Sequence, residues 1–444
     1  MPRGPAVVAP PEVLARAAVE IAGAVEAAVF EGNKRADREL AAQLKRRRDL
    51  GPPDGRQVSQ AVFALLRWRG WVEPLGSLGI EERLLLSLLL DEPQLPPICR
   101  ILARWSGWDP GRLMPLGDAP DWKALSEGFR RLLGGHAVTA DPWRLFPPFL
   151  REHLPIPPGG ASVKFRHMEL LQVLQRRPPL WVRVQGAEPE AVWKSLRDAG
   201  VKPWVHRRVK EAAQLGPDVD VYHLAPFERG QIEIQDLASQ AVGLVCDPDP
   251  GERWWDACTG AGGKALHLAA QMLGRGVVVA TDRHEGRLKE AVRRARRTAF
   301  RNITTKVWDG TRVAGKPGSF DGVLVDAPCS GIGTWRRNPD ARWTLQREAI
   351  PRLAAEQGAL LDAASAGVRI GGTLVYSVCT LTPTETRGVV EGFLARHREF
   401  RLDPFPHPLG GEETDGTLLI WPQDGDTDAM YVARMVRAGA APGK

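Results

Sequence analysis

Residues 253–264 read Arg-Trp-Trp-Asp-Ala-Cys-Thr-Gly-Ala-Gly-Gly-Lys, and residues 277–282 read Val-Val-Val-Ala-Thr-Asp. The first stretch is a short apolar run, then a carboxylate, then a glycine-rich turn. The spacing predicts a strand over Arg253 to Ala257 and a helix from Lys264 to Met272. A strand, a glycine loop and a helix start are the geometry that lets backbone approach a nucleotide-like ligand. A phosphate loop would need Ser or Thr after Gly-Lys, and this chain has Ala265. The Gly-x-Gly-x-x-Gly dinucleotide pattern also fails, because Gly260-Ala-Gly262 is followed by Gly-Lys-Ala. The second stretch ends in Asp282, which can hydrogen-bond both hydroxyls of a ribose; the bland alternative is a cap leading into Glu285.

Further strands are expected over Ile303 to Trp308, Gly322 to Val325 and Thr373 to Ser377, with a helix from Glu285 to Ala299 among those between. Near-continuous apolar runs are what strands buried on both faces of a parallel sheet require. Thr417 to Trp421 and Met430 to Val436 bracket Asp424-Gly425-Asp426 and read as an antiparallel pair closing the sheet. The fold class is therefore α/β, a doubly wound, mostly parallel sheet over residues 236–444. Ligands in such sheets bind at the carboxyl ends of strands. Asp256, Cys258, Asp282, Asp309, Asp326, Cys329 and Cys379 all fall at or just after one.

Two other segments precede it. Over residues 1–150 apolar residues recur at helical spacing, as at Leu14, Ala18, Ile21, Val25 and Val29. Helices are expected over Ala36 to Leu44, Gln57 to Trp71, Ile80 to Leu90 and Pro97 to Trp105, giving an all-helical domain. Residues 151–235 read as a small α+β module. Its strands are Pro179 to Val184, Val221 to Leu224 and Gln231 to Ile234, with a helix from Glu188 to Ala199 and a turn at Gly200.

The chain carries 60 basic and 53 acidic residues, a net charge of +7, which suits a polyanionic partner without proving one. Basic residues cluster at Lys45 to Arg48, at Arg207, Arg208 and Lys210, and at Arg293, Arg294, Arg296, Arg297 and Arg301. A solvated helix face is the plain reading of each cluster alone, and phosphate contact the reading beside an RNA site. The apolar run Leu84 to Leu90 is too short to span a bilayer. Met1 to Pro5 lacks the apolar segment of a secretory leader, so a cytoplasmic protein is expected. The five cysteines are Cys99, Cys246, Cys258, Cys329 and Cys379. None forms a Cys-x-x-Cys pair, so no metal site is expected, and an odd count argues against a disulfide framework.

Two motifs carry the chemistry. Asp326-Ala-Pro-Cys329-Ser-Gly follows Phe-Asp-Gly-Val-Leu-Val, and Tyr376-Ser-Val-Cys379-Thr follows Gly-Gly-Thr-Leu-Val. Two thiols at strand ends, one beside a carboxylate, suit a reaction at a pyrimidine. Carbon 5 of cytosine is a poor nucleophile. A thiolate adding to carbon 6 turns the ring into an enamine, whose carbon 5 can take a methyl group from a sulfonium. Asp326 is placed to stabilise the adduct near ring nitrogen 3, Lys264 to add electrostatic support, and Asp309 to accept from an adenine amine. Spacing leaves open which thiol attacks.

At these residues the chain resembles the Sun-type (RsmB-like) family of RNA cytosine-5 methyltransferases. The resemblance rests on the Gly-Gly-Lys loop, Asp282, Asp309, Asp-Ala-Pro-Cys-Ser-Gly, and the Arg336-Arg337-Asn338-Pro339-Asp340 segment with Trp343. It also rests on Tyr-Ser-Val-Cys-Thr with Glu385 downstream, and on Ile234-Gln235-Asp236 with Ser239-Gln240. It implies a class I, Rossmann-like methyltransferase domain with S-adenosylmethionine as cofactor, bound by Cys258, Thr259, Gly260, Ala261, Gly262, Gly263, Lys264, Asp282, Asp309 and Asp326. It makes Cys379 the nucleophile and Cys329 the thiol that assists release, with Asp326 and Lys264 completing the catalytic set. Two departures are mild: Ala261 stands where the family has proline, and Val378-Cys379-Thr380 where it has Thr-Cys-Ser.

The helical segment resembles the NusB-like domain of bacterial members that act on small-subunit ribosomal RNA, on its spacing and Arg67-Trp68-Arg69. The resemblance makes 16S ribosomal RNA the expected substrate, with tRNA as the alternative. It makes the first two segments RNA-binding, with Arg183, Arg207 and Arg208 as candidate contacts in the second. A monomer is expected. Two other readings keep the fold: an RNA-binding ribosome-assembly factor of weak activity, and a DNA cytosine methyltransferase. The second cysteine and the helical segment argue against the last.

Overall fold

The computed structural model describes residues 9–76, 78–134, 140–156 and 162–439; Met1 to Pro5, read above for a leader, lies outside them. The chain forms two compact units. The first comprises residues up to Glu152, Ile156–Arg177 and Trp335–Leu345; the second holds Pro178–Thr334 and Gln346 onward. These units do not follow the three segments read from the sequence. The helix Val163–Gln175 belongs to the first unit, and the small module shares the second with the large sheet.

The helical unit is built on Pro11–Phe30, Ala36–Arg46, Pro52–Val72, Ile80–Asp91 and Pro97–Trp105. Three of these begin with proline at the first position, where its missing N–H costs no helix bond. Leu14, Ile21, Val25, Val62, Leu65 and Leu88 are buried together in its core. Arg67 turns inward, where its Nε donates to Asp91 at 2.9 Å; Trp68 Nε1 donates to the same carboxylate at 2.9 Å. The segment Trp335–Leu345 plugs into this unit. Arg342 is fully buried and donates to the carbonyls of Leu145 (3.2 Å), Leu174 (3.0 Å) and Trp335 (3.2 Å) and to Gln175 Oε1 (2.8 Å). Trp343 Nε1 donates to the Leu66 carbonyl at 2.7 Å, and the Ala36 N–H to Asp340 at 3.0 Å. No helix among the described residues is long and apolar enough to cross a membrane.

The second unit opens with a four-stranded antiparallel sheet of β1 (Leu180–Val184), β2 (Trp204–Val205), β3 (Ala212–Leu215) and β4 (Ile232–Ile234), in the order β2-β3-β1-β4. The helix Pro189–Asp198 covers it through Val192, Trp193 and Leu196. Val221 to Leu224 is not a strand: Val221–His223 is a single 3₁₀ turn, and Val221 is a buried member of this small core. The strand is instead Ala-Ala-Gln-Leu, a weak strand former that pairs on both sides. Pairing overrides propensity there.

The large sheet holds β5 (Arg253–Asp256), β6 (Val277–Asp282), β7 (Ile303–Val307), β8 (Phe320–Asp326), β9 (Val368–Val378), β10 (Phe400–Leu402), β11 (Thr417–Ile420) and β12 (Met430–Arg437). Its order is β10-β12-β9-β8-β5-β6-β7, with β11 also paired to β12. The strands β7, β6, β5, β8 and β9 run parallel; β12 is antiparallel to β9 and to β11. This is the doubly wound, mostly parallel class I methyltransferase sheet expected above. Alternate side chains feed two cores. Trp255, Val323, Val325, Tyr376 and Val378 pack with Leu361 and Phe393. Trp254, Val278, Leu324 and Val375 pack with Ala241, Leu266 and Leu268.

Gly322 stands opposite Trp254 in the β5/β8 register, and a Cβ there would overlap the indole. The Gly322→Ala variant is expected to lose about 1–3 kcal/mol of stability, the range for overpacking a close-packed core. Urea or thermal melts of the two proteins check this; an unchanged midpoint would show that Trp254 has room to move.

Candidate active site

The reversal of strand order beside β5 opens a cleft at the carboxyl edge of the sheet, the place where such sheets take ligands. A cavity of about 430 Å³ lies there. Of the ten residues expected to bind the cofactor, Cys258, Thr259, Gly260, Ala261, Asp282, Asp309 and Asp326 line it. Gly262, Gly263 and Lys264 do not; they begin the helix Gly263–Gln271 behind the loop. Gly262 has φ +86°, and a Cβ on it would come within 2.8 Å of Ala291 Cβ. Glycine therefore lets the loop lie flat on the helix Glu285–Arg297.

The carboxylates are held individually. Asp282 accepts from the Gly260 N–H at 3.1 Å and the His284 N–H at 2.8 Å, which fixes it between the glycine loop and the next helix. Asp309 stands exposed on the rim and accepts from the Thr311 N–H (2.9 Å) and hydroxyl (2.8 Å); these bonds hold its carboxyl below the usual range. Asp326 takes one bond on each oxygen, from Lys264 Nζ and from Ser377 Oγ, both at 2.8 Å. Burial disfavours the Lys264 ammonium, but the charge and hydrogen bond of Asp326 outweigh it and raise the lysine above its ordinary value.

The cavity suits a nucleoside with a charged tail. Asp282 and Asp309 offer acceptors for hydroxyl and amine protons, and the Gly260-Ala261 turn presents backbone with no side chain larger than a methyl group. Trp308 and Leu360 give the lining its apolar surface. Those two, with His284, Arg287 and Glu356, were not singled out from the sequence. Trp308 could have been, since it directly precedes Asp309; Leu360 lies on the helix Ala349–Ser365, where nothing in the pattern marks it. Among the described residues no group of His, Cys, Asp and Glu is arranged to hold a metal ion.

Next to the cavity lie the two thiols. Cys329 follows Pro328, which lines the cavity, and Cys379 is the first residue after β9. Their sulfurs are 3.4 Å apart, and both are half-buried. The hydrogen bond with Cys379, reinforced by burial, pushes the Cys329 thiol well up. The other cysteines are poor nucleophiles. Burial raises Cys99 to about 12 and pushes Cys246 and Cys258 well up.

The basic clusters divide. Arg183 is buried, donating to Gln235 (2.6 Å) and Gln185 (2.8 Å), so it is not a surface contact. Arg294 and Arg297 both pair with the buried Glu233, Arg294 through its Nε at 2.9 Å. Arg207, Arg208 and Lys210 remain exposed.

Asp256 sits at the root of the glycine loop, fully buried. Its Oδ2 accepts from Thr259 at 2.8 Å and its Oδ1 has no partner. Burial raises it to about 7, against about 3.9 in an unfolded chain. Between those values the folded chain keeps a proton that the unfolded chain has released, so this group lowers stability as pH rises from about 4 to about 7. Asp256→Asn keeps the Thr259 bond and removes the titration. It is expected to match wild type in a thermal melt near pH 4 and to exceed it near pH 8. An equal difference at both values would rule out this account.

Comparisons with known proteins fit the geometry. Residues 243–436 match the family model described as 16S rRNA methyltransferase RsmB/F. A probable ribosomal RNA small subunit methyltransferase B from Synechocystis sp. is 28% identical over 88% of this chain and 92% of its own length. The ribosomal RNA small subunit methyltransferase B of Vibrio vulnificus is 32% identical over 60% of this chain and 62% of its own length. The crystal structure of PH0851 has the same fold, with a TM-score of 0.74 at 22% identity over 97% of this chain and all of that one. The match places residues 243–436 with the RsmB/F, or Sun-type, methyltransferases, whose cofactor is S-adenosylmethionine.

Proposed function

We propose that this protein methylates carbon 5 of a cytosine in RNA, with small-subunit ribosomal RNA as substrate, through a covalent adduct with Cys379. The observation that carries the reading is the pair of sulfurs 3.4 Å apart at adjacent strand ends, beside a cavity of nucleoside character. The names of the relatives support the choice of RNA. Bound in the cavity, S-adenosylmethionine supplies an electrophilic methyl group.

The protein's own residues do the rest. Cys379 adds to carbon 6 of the ring, forming a carbon–sulfur bond and making carbon 5 nucleophilic. Cys329 keeps its proton at that stage, because its raised proton affinity opposes ionisation next to a second thiolate. Lys264 and Asp326 form a charged pair at the cavity wall, fixed before substrate arrives, which suits the stabilisation of charge developing on the ring. After methylation the carbon 5 proton passes to solvent, its bonding pair restores the carbon 5–carbon 6 double bond, Cys379 leaves as a thiolate and the product is released, with Cys329 assisting. The helical unit and the small module grip RNA, and Arg207, Arg208 and Lys210 offer phosphate contacts.

Cys379→Ala is expected to lower methyl transfer by about a thousandfold or more while leaving cofactor affinity intact. Cys329→Ala is expected to accumulate a protein–RNA adduct that survives denaturing electrophoresis. Assays with labelled methyl donor and a small-subunit RNA transcript check both. An adduct trapped by Cys379→Ala instead would reverse the two roles, and wild-type turnover by that variant would sink the mechanism.

A further inference from the structure

One buried carboxylate ties the two thiol loops together. Glu385 is fully buried. Its Oε1 accepts from the Ser330 N–H at 2.8 Å and Gln357 Nε2 at 3.0 Å. Its Oε2 accepts from the hydroxyls of Ser330 at 2.5 Å and Thr382 at 2.8 Å. Ser330 is the neighbour of Cys329, and Thr382 lies three residues past Cys379. The Glu385 carbonyl also accepts from the Tyr376 hydroxyl at 2.6 Å, on the strand that delivers Cys379. Gln357 extends the lock by donating to the Pro328 carbonyl at 2.9 Å and accepting from Tyr376 at 3.1 Å. All five bonds into the side chain, counting a longer one from the Thr380 hydroxyl at 3.4 Å, are donations, which only an acceptor-only group satisfies. An amide in its place would set N–H against donors in a buried site.

The charges around the two thiols differ. The negative charge of Glu385 disfavours ionisation of Cys329, alongside its bond to Cys379 and burial. The Lys264 ammonium, in contrast, is close enough to Cys379 to interact with its charge.

We propose that Glu385 is a positioning residue: it fixes the spacing of the two thiols, and its charge on the Cys329 side leaves the shared proton on Cys329, so that Cys379 is the thiol that ionises. Its use in catalysis rests on the covalent reading above. The order of ionisation is a property of the folded chain without RNA, so it can be tested apart from activity.

The test is site-resolved alkylation of the full-length protein by iodoacetamide across a pH series, read by mass spectrometry. In wild type the Cys379 profile is expected to rise at least about one pH unit below that of Cys329, a tenfold difference in thiolate fraction. In Glu385→Gln the Cys329 profile moves to lower pH and the gap closes to within about threefold in rate. Glu385→Asp, which keeps the charge, keeps the order. Cofactor binding, followed by calorimetry, persists in every folded variant, since Glu385 does not line the cavity. A wild-type profile in which Cys329 ionises first overturns the proposal. A folded Glu385→Gln protein that is less stable but keeps the wild-type gap also overturns it, because the role is then structural alone. Should Glu385→Gln fail to fold, the wild-type order and the Glu385→Asp profile decide. The correct order in a protein that methylates no RNA would instead defeat the covalent reading and leave this one standing.

Discussion

The parallel pairing of β8 with β9 is the constraint from which the site follows. Their register sets Val325 beside Tyr376 and Asp326 beside Ser377, so both chains leave the sheet at the same edge and the same depth. Cys329 and Cys379 are then only a few residues from a shared reference point. Both strands are buried on two faces, and a slip by one residue would exchange the two faces. Val323, Val325, Tyr376 and Val378 would leave one core for the other. The packing of the whole unit thus specifies the sulfur-to-sulfur distance more firmly than any contact between the thiols. The Ser377 bond to Asp326 repeats that register at the level of side chains.

Asp326 stands where two functions meet. It faces the cavity, holds Lys264, and begins the turn that carries Cys329. On the far side of that turn Glu385 gathers donors from both loops. The arrangement has one cation and two fixed carboxylates around two similar sulfurs. Small differences of placement give the sulfurs different environments although the residues are chemically the same. A buried charge can do this because low surrounding polarity lengthens its reach.

Much of this was legible in the sequence, for definite reasons. Apolar runs ending in a carboxylate or a thiol located the strands and their functional ends, because side-chain burial on both sheet faces leaves little room for other patterns. The parallel direction of β5, β6 and β7 followed from the helices between them, whereas no helix joins β7 to β8. Other features depended on partners far along the chain. The Ala212–Leu215 strand has no apolar pattern of its own and exists through pairing. Arg183, Arg294 and Arg297 read as surface charge, yet buried acceptors elsewhere in the second unit claim them. Glu385 was part of a motif, but its five donors come from three separate stretches, and spacing alone does not reveal such convergence.

The plug formed by Trp335–Leu345 has a consequence for how the protein is made. A ribosome delivers residues in order, and the helical unit needs Arg342 to satisfy the carbonyls of Leu145 and Leu174 and the amide of Gln175. Those groups wait without that partner while β5, β6, β7 and β8 are synthesised. The first unit to emerge is therefore among the last to be completed. No single cut in the chain separates the two units, and a gene fragment ending at Arg177 encodes a helical unit that is missing one of its own pieces.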